Sequence, residues 1–138
     1  MNDGATTDEL GILVGVAKPD QVTVEARRPV SIGEYVILKY GRGKVLGLVE
    51  RSSIASDALG ANIRNYEEAS ESRLVAQANR HDKSYKANVR VLGYLDELKK
   101  CKAIIPALPP EPGTQVFEAY PEDLRTIFAP DGQQWLKI

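Results

Sequence analysis

Hydrophobic residues recur with the two-residue period of a β-strand over most of this chain. In Leu10–Ala17 (LGILVGVA), Leu10, Ile12, Val14 and Val16 fall on one face and Gly11, Leu13, Gly15 and Ala17 on the other. Two glycines on one face predict a close backbone approach or a bend. Lys18-Pro19-Asp20-Gln21 suits a type I turn. Gln21–Arg27 alternates cleanly, with Val22, Val24 and Ala26 inward, and Pro29–Gly33 makes a corner. The stretch Gly33–Arg51 then reads as a hairpin, Glu34–Tyr40 and Lys44–Arg51 joined at Gly41-Arg42-Gly43. Val36, Leu38 and Tyr40 share one face of its first arm, and Tyr35 and Ile37 the other. On the second arm Val45 and Val49 share a face with Gly47, and Leu46 and Leu48 share the opposite one. A half-exposed hairpin should show one polar face, so this one is either covered on both sides or offers a side to a partner. The four strands with their short connections predict an antiparallel meander.

Residues 52–65 are small and polar, and Tyr66–Arg80 has a helix-forming composition with a weak stripe of Tyr66, Ala69, Leu74, Val75 and Ala78. Residues 52–83 are thus expected to be a helical or mobile insertion. Tyr85–Asp96 is the longest alternating run, with Gly93 as a candidate bend. Pro106–Gly113 holds four of the eight prolines and predicts a stiff loop. Thr114–Ala119 is a further short strand, and Pro121-Glu122-Asp123 opens a helix with Leu124, Ile127 and Phe128 on one face. The run Trp135–Ile138 is strand-like, and a chain stopping there reads as the front part of a longer protein. Residues 1–8 are expected to be a disordered tail and 9–138 one domain. The fold class is mainly β: a small closed antiparallel barrel of about six strands with one inserted helix and one short C-terminal helix, because closure removes exposed edges.

Composition adds bounds. The 138 residues suffice for one core, and a net charge of −1 sets up no global attraction to nucleic acid. A single cysteine excludes an internal disulfide. No run approaches the roughly 20 apolar residues of a membrane helix, and MNDGATTD is unlike a signal peptide. The expectation is a cytoplasmic protein with no membrane partner.

Candidate chemistry is sparse. Gly41-Arg42-Gly43-Lys44 lacks the spacing of a phosphate loop, since Val45 follows the lysine, Leu38 stands where the first glycine belongs, and a strand comes next. One Cys and one His cannot build a zinc site. His81 beside Asp82 and Lys83 reads as a loop histidine, and Cys101 among Lys99, Lys100 and Lys102 as an ordinary thiol. No catalytic, cofactor or metal residue is assigned. Arg27, Arg28, Arg42 and Lys44 would form a basic patch if their loops gathered at one barrel end. Tyr40, Tyr85 and Tyr94 are the aromatics available for stacking on a single strand.

The opening Gly11-Ile12-Leu13-Val14-Gly15, the corner Pro29-x-x-Ile32-Gly33-Glu34-Tyr35-Val36 and the run Gly43-Lys44-Val45-Leu46-Gly47-Leu48-Val49-Glu50 resemble the N-terminal HAS barrel of the archaeal HerA DNA-end-processing ATPases. That barrel is similar to the N-terminal barrel of ATP synthase subunits. The resemblance implies a hexameric motor that pumps duplex DNA with the nuclease NurA, in double-strand break repair. The barrel would help assemble the ring and dock the nuclease. ATP and magnesium would belong to a motor domain after residue 138, and this chain alone would have no ATPase activity.

Two readings of function follow: an assembly and docking barrel, or a free-standing barrel binding nucleic acid in the manner of an OB-fold. For the first, Tyr35 and Ile37 are the expected contact residues, with Leu46 and Leu48, or Val45 and Val49, beside them according to register. Leu46 and Leu48 are the pair adopted. The competing expectation is that the helix at 66–80 or the one at 121–128 covers this face.

Overall fold

The computed structural model describes residues 9–128. The expected tail at 1–8 and the run Trp135–Ile138 lie outside the described residues. Six strands, β1 (Glu9–Val14), β2 (Gln21–Ala26), β3 (Tyr35–Tyr40), β4 (Gly43–Ser56), β5 (Lys83–Tyr94) and β6 (Gln115–Glu118), close into an antiparallel barrel in the order β1-β2-β5-β4-β3-β6. Helix α1 (Tyr66–Ala78) lies between β4 and β5 in the chain, α2 (Leu95–Leu98) follows β5, and α3 (Pro121–Phe128) follows β6.

The meander expected of the first four strands is not formed. β1 pairs with β2 and β3 with β4, but β5 inserts between β2 and β4. Tyr85–Arg90 pairs with β2 on one edge of β5, and Lys83–Tyr94 pairs with β4 on the other. β2 and β3 therefore stand on opposite sides of the barrel, and residues 27–34 cross its mouth. Val30 seals the interior there, 5% exposed.

β4 also runs five residues past its expected end at Arg51, to Ser56. Apart from Ile54, residues 52–56 are small and poor strand formers by composition, yet each faces a β5 residue in register, and that ladder satisfies the backbone on that side. In β1 the expected alternation fails. The ladder to β6 shifts register between Glu9 and Gly11, and an inserted residue shifts the alternation. Leu10 and Leu13 enter the interior, while Ile12 and Val16 are exposed. The close approach expected at the glycines is real at Gly11, where a Cβ would lie 2.4 Å from the Glu25 carbonyl oxygen.

Inside the barrel, Val22, Val24, Val36, Leu38, Val45, Val49, Val89 and Val116 pack with the two β1 leucines. The register of β4 is thereby decided: Val45 and Val49 point in, and Leu46 points out. Gly47 shares the inner face because a Cβ there would meet Val89 Cγ1 at 2.5 Å. A second cluster lies outside the wall, where Ile37, Leu46 and Phe117 meet Leu95 and Leu98 of α2 and Ile127 of α3.

Helix α1 begins at Asn65, whose Oδ1 accepts from the Glu68 N–H at 2.9 Å. Its expected stripe does not form a buried face: Ala76 is its buried residue, while Tyr66, Leu74 and Val75 are exposed. The insertion is tied at its base by Asp82. This carboxylate accepts from the Ser56 hydroxyl and from the Ala58 N–H, the latter at 2.9 Å. Those bonds hold its pKa below the ordinary aspartate value.

Candidate docking surface

The outer face of the β3–β4 hairpin carries the site. Alternation turns Tyr35, Ile37, Leu46 and Leu48 outward, because Val36, Leu38, Val45 and Val49 fill the interior. Two short helices then approach this face. α3 starts at Pro121 with Glu122 and Asp123 in its first turn, which suits the helix dipole. Lys99 Nζ donates to Asp123 Oδ1 at 2.8 Å, joining the residue after α2 to the start of α3. At the other end of α3, the Phe128 ring packs against Tyr35 with centroids 5.3 Å apart.

The helices cover part of the face and leave part open. Ile37 is 3% exposed and Leu46 fully buried, so neither of these two expected contact residues is at the surface. The physical cause is the apolar face of α3, whose Leu124, Ile127 and Phe128 at helical spacing need a hydrophobic seat. The 121–128 helix is thus part of the cover, as the competing expectation had it, together with α2, which that expectation did not name; α1 has no residue in this cluster. Tyr35 and Leu48 remain half-buried. They line an apolar groove of about 430 Å³ with Leu46, Leu92, Leu98, Ala103, Ile127 and Phe128. Sequence reasoning missed Leu92, Leu98 and Ala103. Leu92 sits at the register shift between Leu46 and Gly47, which simple alternation does not anticipate.

The four basic residues do not come together. Ala26 pairs with Tyr85 and lies near Gly11, at the barrel end where β3 begins; Arg27 and Arg28 follow it. Arg42 and Lys44 flank the β3–β4 turn at the opposite end. Arg28 is committed to an ion pair with Glu34 at 3.1 Å and another with Glu118 at 2.7 Å. Its hydrogen bond holds the Glu34 carboxyl below the usual glutamate value, and the two carboxylates raise the guanidinium's own pKa. Arg42 stacks over Tyr94 at 4.3 Å and approaches Glu97 at 3.7 Å. The pocket beside it, lined by Arg42, Lys44, Asp96 and Glu97, mixes both signs of charge and so makes no anion cradle. Gly41-Arg42-Gly43-Lys44 is a hairpin turn, with Gly41 at φ 65°, leading into a strand.

Of the stacking aromatics, Tyr40, Tyr85 and Tyr94 pack against the interior core. Burial pushes the Tyr40 phenol up to about 12. His81 follows α1 in an exposed turn, its N–H donating to Asn79 Oδ1 at 2.9 Å. Among the described residues no three His, Cys, Asp or Glu side chains gather as a metal site, and no helix is long and apolar enough to cross a membrane.

No family model matches the chain. Known relatives do. It is 32% identical over 125 residues to the DNA double-strand break repair helicase HerA of Saccharolobus solfataricus, an overlap of 90% of this chain and 24% of that protein. It is 34% identical over 120 residues to the protein of the same name from Sulfurisphaera tokodaii, covering 87% and 23%. It is 30% identical over 132 residues to a probable helicase of Methanocaldococcus jannaschii, covering 94% and 24%. The chain spans about a quarter of the length of the relatives it matches. This six-stranded barrel is homologous to the N-terminal region of the HerA helicases.

Proposed function

We propose that this chain is the assembly and partner-docking barrel of a HerA-like hexameric DNA translocase, acting in the cytoplasm with a NurA-like nuclease in DNA-end resection. The observation that carries the reading is the open apolar groove beside Tyr35 and Leu48, on a barrel homologous to the front of DNA-repair helicases. A contiguous apolar groove left open on a barrel surface marks a protein contact. Catalysis is no part of this chain's role: ATP and magnesium act in the motor region of the whole protein, and DNA is engaged through the full ring.

The test is Leu48→Glu in the full-length protein. Leu48 is half-buried at the groove rim, so the charge stays hydrated and the barrel folds. Ring assembly by native mass spectrometry, or nuclease co-purification, should fall by about tenfold or more, as for a residue central to an interface. Normal assembly together with normal nuclease binding would refute the docking role. Tight, steeply salt-dependent binding of single-stranded DNA by the chain alone would favour the OB-like reading instead.

A further inference from the structure

The outer half of β4 is a sheet edge inside an otherwise closed barrel. β3 pairs with β4 from Gly43 to Leu48, and the Glu34 carbonyl takes the Val49 N–H. From Arg51 to Ser56 the strand pairs with β5 alone among the described residues. Arg51 to Ala55 are all exposed, and Ile54, at 57%, is a large apolar side chain in the open. Natural edges are blunted by proline, charge or a covering segment. Ser52–Ser56 (SSIAS) has no proline and no charge.

The direction of the free backbone groups follows from the ladder. The Asp57 N–H donates to the Asp82 carbonyl at 3.2 Å, one step beyond the Ser56–Lys83 pair. In an antiparallel ladder, backbone groups of successive residues point to alternate sides. Ala55 and Ser53 therefore turn theirs toward β5, and Ser52, Ile54 and Ser56 turn theirs toward the open edge.

We propose that this edge pairs with the same edge of a second copy of the chain, antiparallel about a two-fold axis that passes between the two Ile54 residues. The register sets Ile54 opposite itself and Ser52 opposite Ser56, so every outward backbone group meets an outward group of the other copy. It sets Ser53 opposite Ala55, two small side chains. At each end it sets Arg51 opposite Asp57, both exposed, on the side-chain face that cross-strand partners share. A register displaced by one residue would break the backbone match, and one displaced by two would break the charge match. The parity match is open to any antiparallel strand, but the charge match of Arg51 with Asp57 at both ends favours a second copy over an unrelated strand. The contact is short, so the association is weak and reversible. It does not rest on the docking groove, which lies on the outer face of β3–β4. A two-fold contact cannot close a six-fold ring either, so in a ring-forming protein it would join chains of different rings.

Analytical ultracentrifugation of this chain from about 10 µM to about 1 mM tests the proposal, a range suited to a small interface. A monomer–dimer equilibrium is expected. Ile54→Pro removes an edge donor and leaves the β5 ladder intact, and should abolish the dimer without changing the far-UV spectrum. Arg51→Asp faces Asp57 with a like charge and should weaken dimerisation about tenfold or more. Adding Asp57→Arg to it should restore the affinity to within about threefold, because the opposite charges meet again. A chain that stays monomeric throughout, a dimer indifferent to Ile54→Pro, an unrescued double variant, or a closed oligomer larger than a dimer would each overturn the proposal. If Ile54→Pro impairs folding, the charge-reversal pair decides alone.

Discussion

Ile37→Asp puts a carboxylate where β3 meets the covering helices. Ile37 is 3% exposed and packs in one cluster with Leu46, Leu98, Phe117 and Ile127. Losing the isoleucine side chain from such a site costs about 2–5 kcal/mol by analogy with Ile→Ala. An unpaired polar group in its place adds about 1–3 kcal/mol, with the carboxyl taking up a proton rather than staying charged. Lys39, on the same face, lies 4.4 Å over the Phe117 ring and would have to leave it to help. Even about 4 kcal/mol, toward the low end of the sum of these costs, is a large part of the 5–15 kcal/mol that holds an ordinary domain together. In a chain of this size it lowers the melting temperature by roughly 12–20 °C. Thermal melts followed by far-UV circular dichroism measure this directly, with urea titration as a second reading. Ile37→Val, which leaves the packing nearly intact, should cost about 0.5–1.5 kcal/mol. If Ile37→Asp melts within about 3 °C of the parent, α3 does not cover this face in solution and the whole hairpin surface is open for docking.

Three further outcomes are expected. Gly11→Ala should destabilise the barrel by about 1–3 kcal/mol in urea titrations, since its Cβ would lie 2.4 Å from the Glu25 carbonyl oxygen and 2.9 Å from the Ala26 Cα, neither on a flexible side chain; a neutral result would place β1 and β2 farther apart. The Glu34 carboxyl titrates lower in the fold than its ordinary 4.5 because Arg28 bonds it, so its contribution is present above about pH 4.5 and lost as pH falls through the depressed folded value. Arg28→Ala should therefore flatten that part of the acid limb of stability against pH; an unchanged limb would show the pair has no energetic weight. Asp82→Ala removes the acceptor for Ser56 and Ala58 at the base of the insertion, and should speed amide exchange over residues 57–80 while β2 and β5 keep their protection; equal exchange in both variants would count against the latch.

Much of this protein was legible before any coordinates. The alternation of Val22, Val24 and Ala26, and of Ala87, Val89 and Val91, states which side of a strand is buried, because a strand has only two faces. Pro121 before Leu124, Ile127 and Phe128 announces a helix start through its fixed φ. The homology to HerA was visible in the glycine corners and the hairpin. Pairing between distant segments was not legible. Whether β2 neighbours β3 or β5 depends on which long-range ladder satisfies more backbone and fills the interior, and composition carries no record of that choice. The strand at 52–56 exists only because β5 stands beside it. The register shift beside Gly11 undid the alternation of β1 for the same reason, since a bulge is set by the partner strand. The apolar outer face of the hairpin was readable as two-sided, but its cover was not. Ile37 and Leu46 differ from Tyr35 and Leu48 through the positions at which α2 and α3 come to rest, and that is a property of the packed whole.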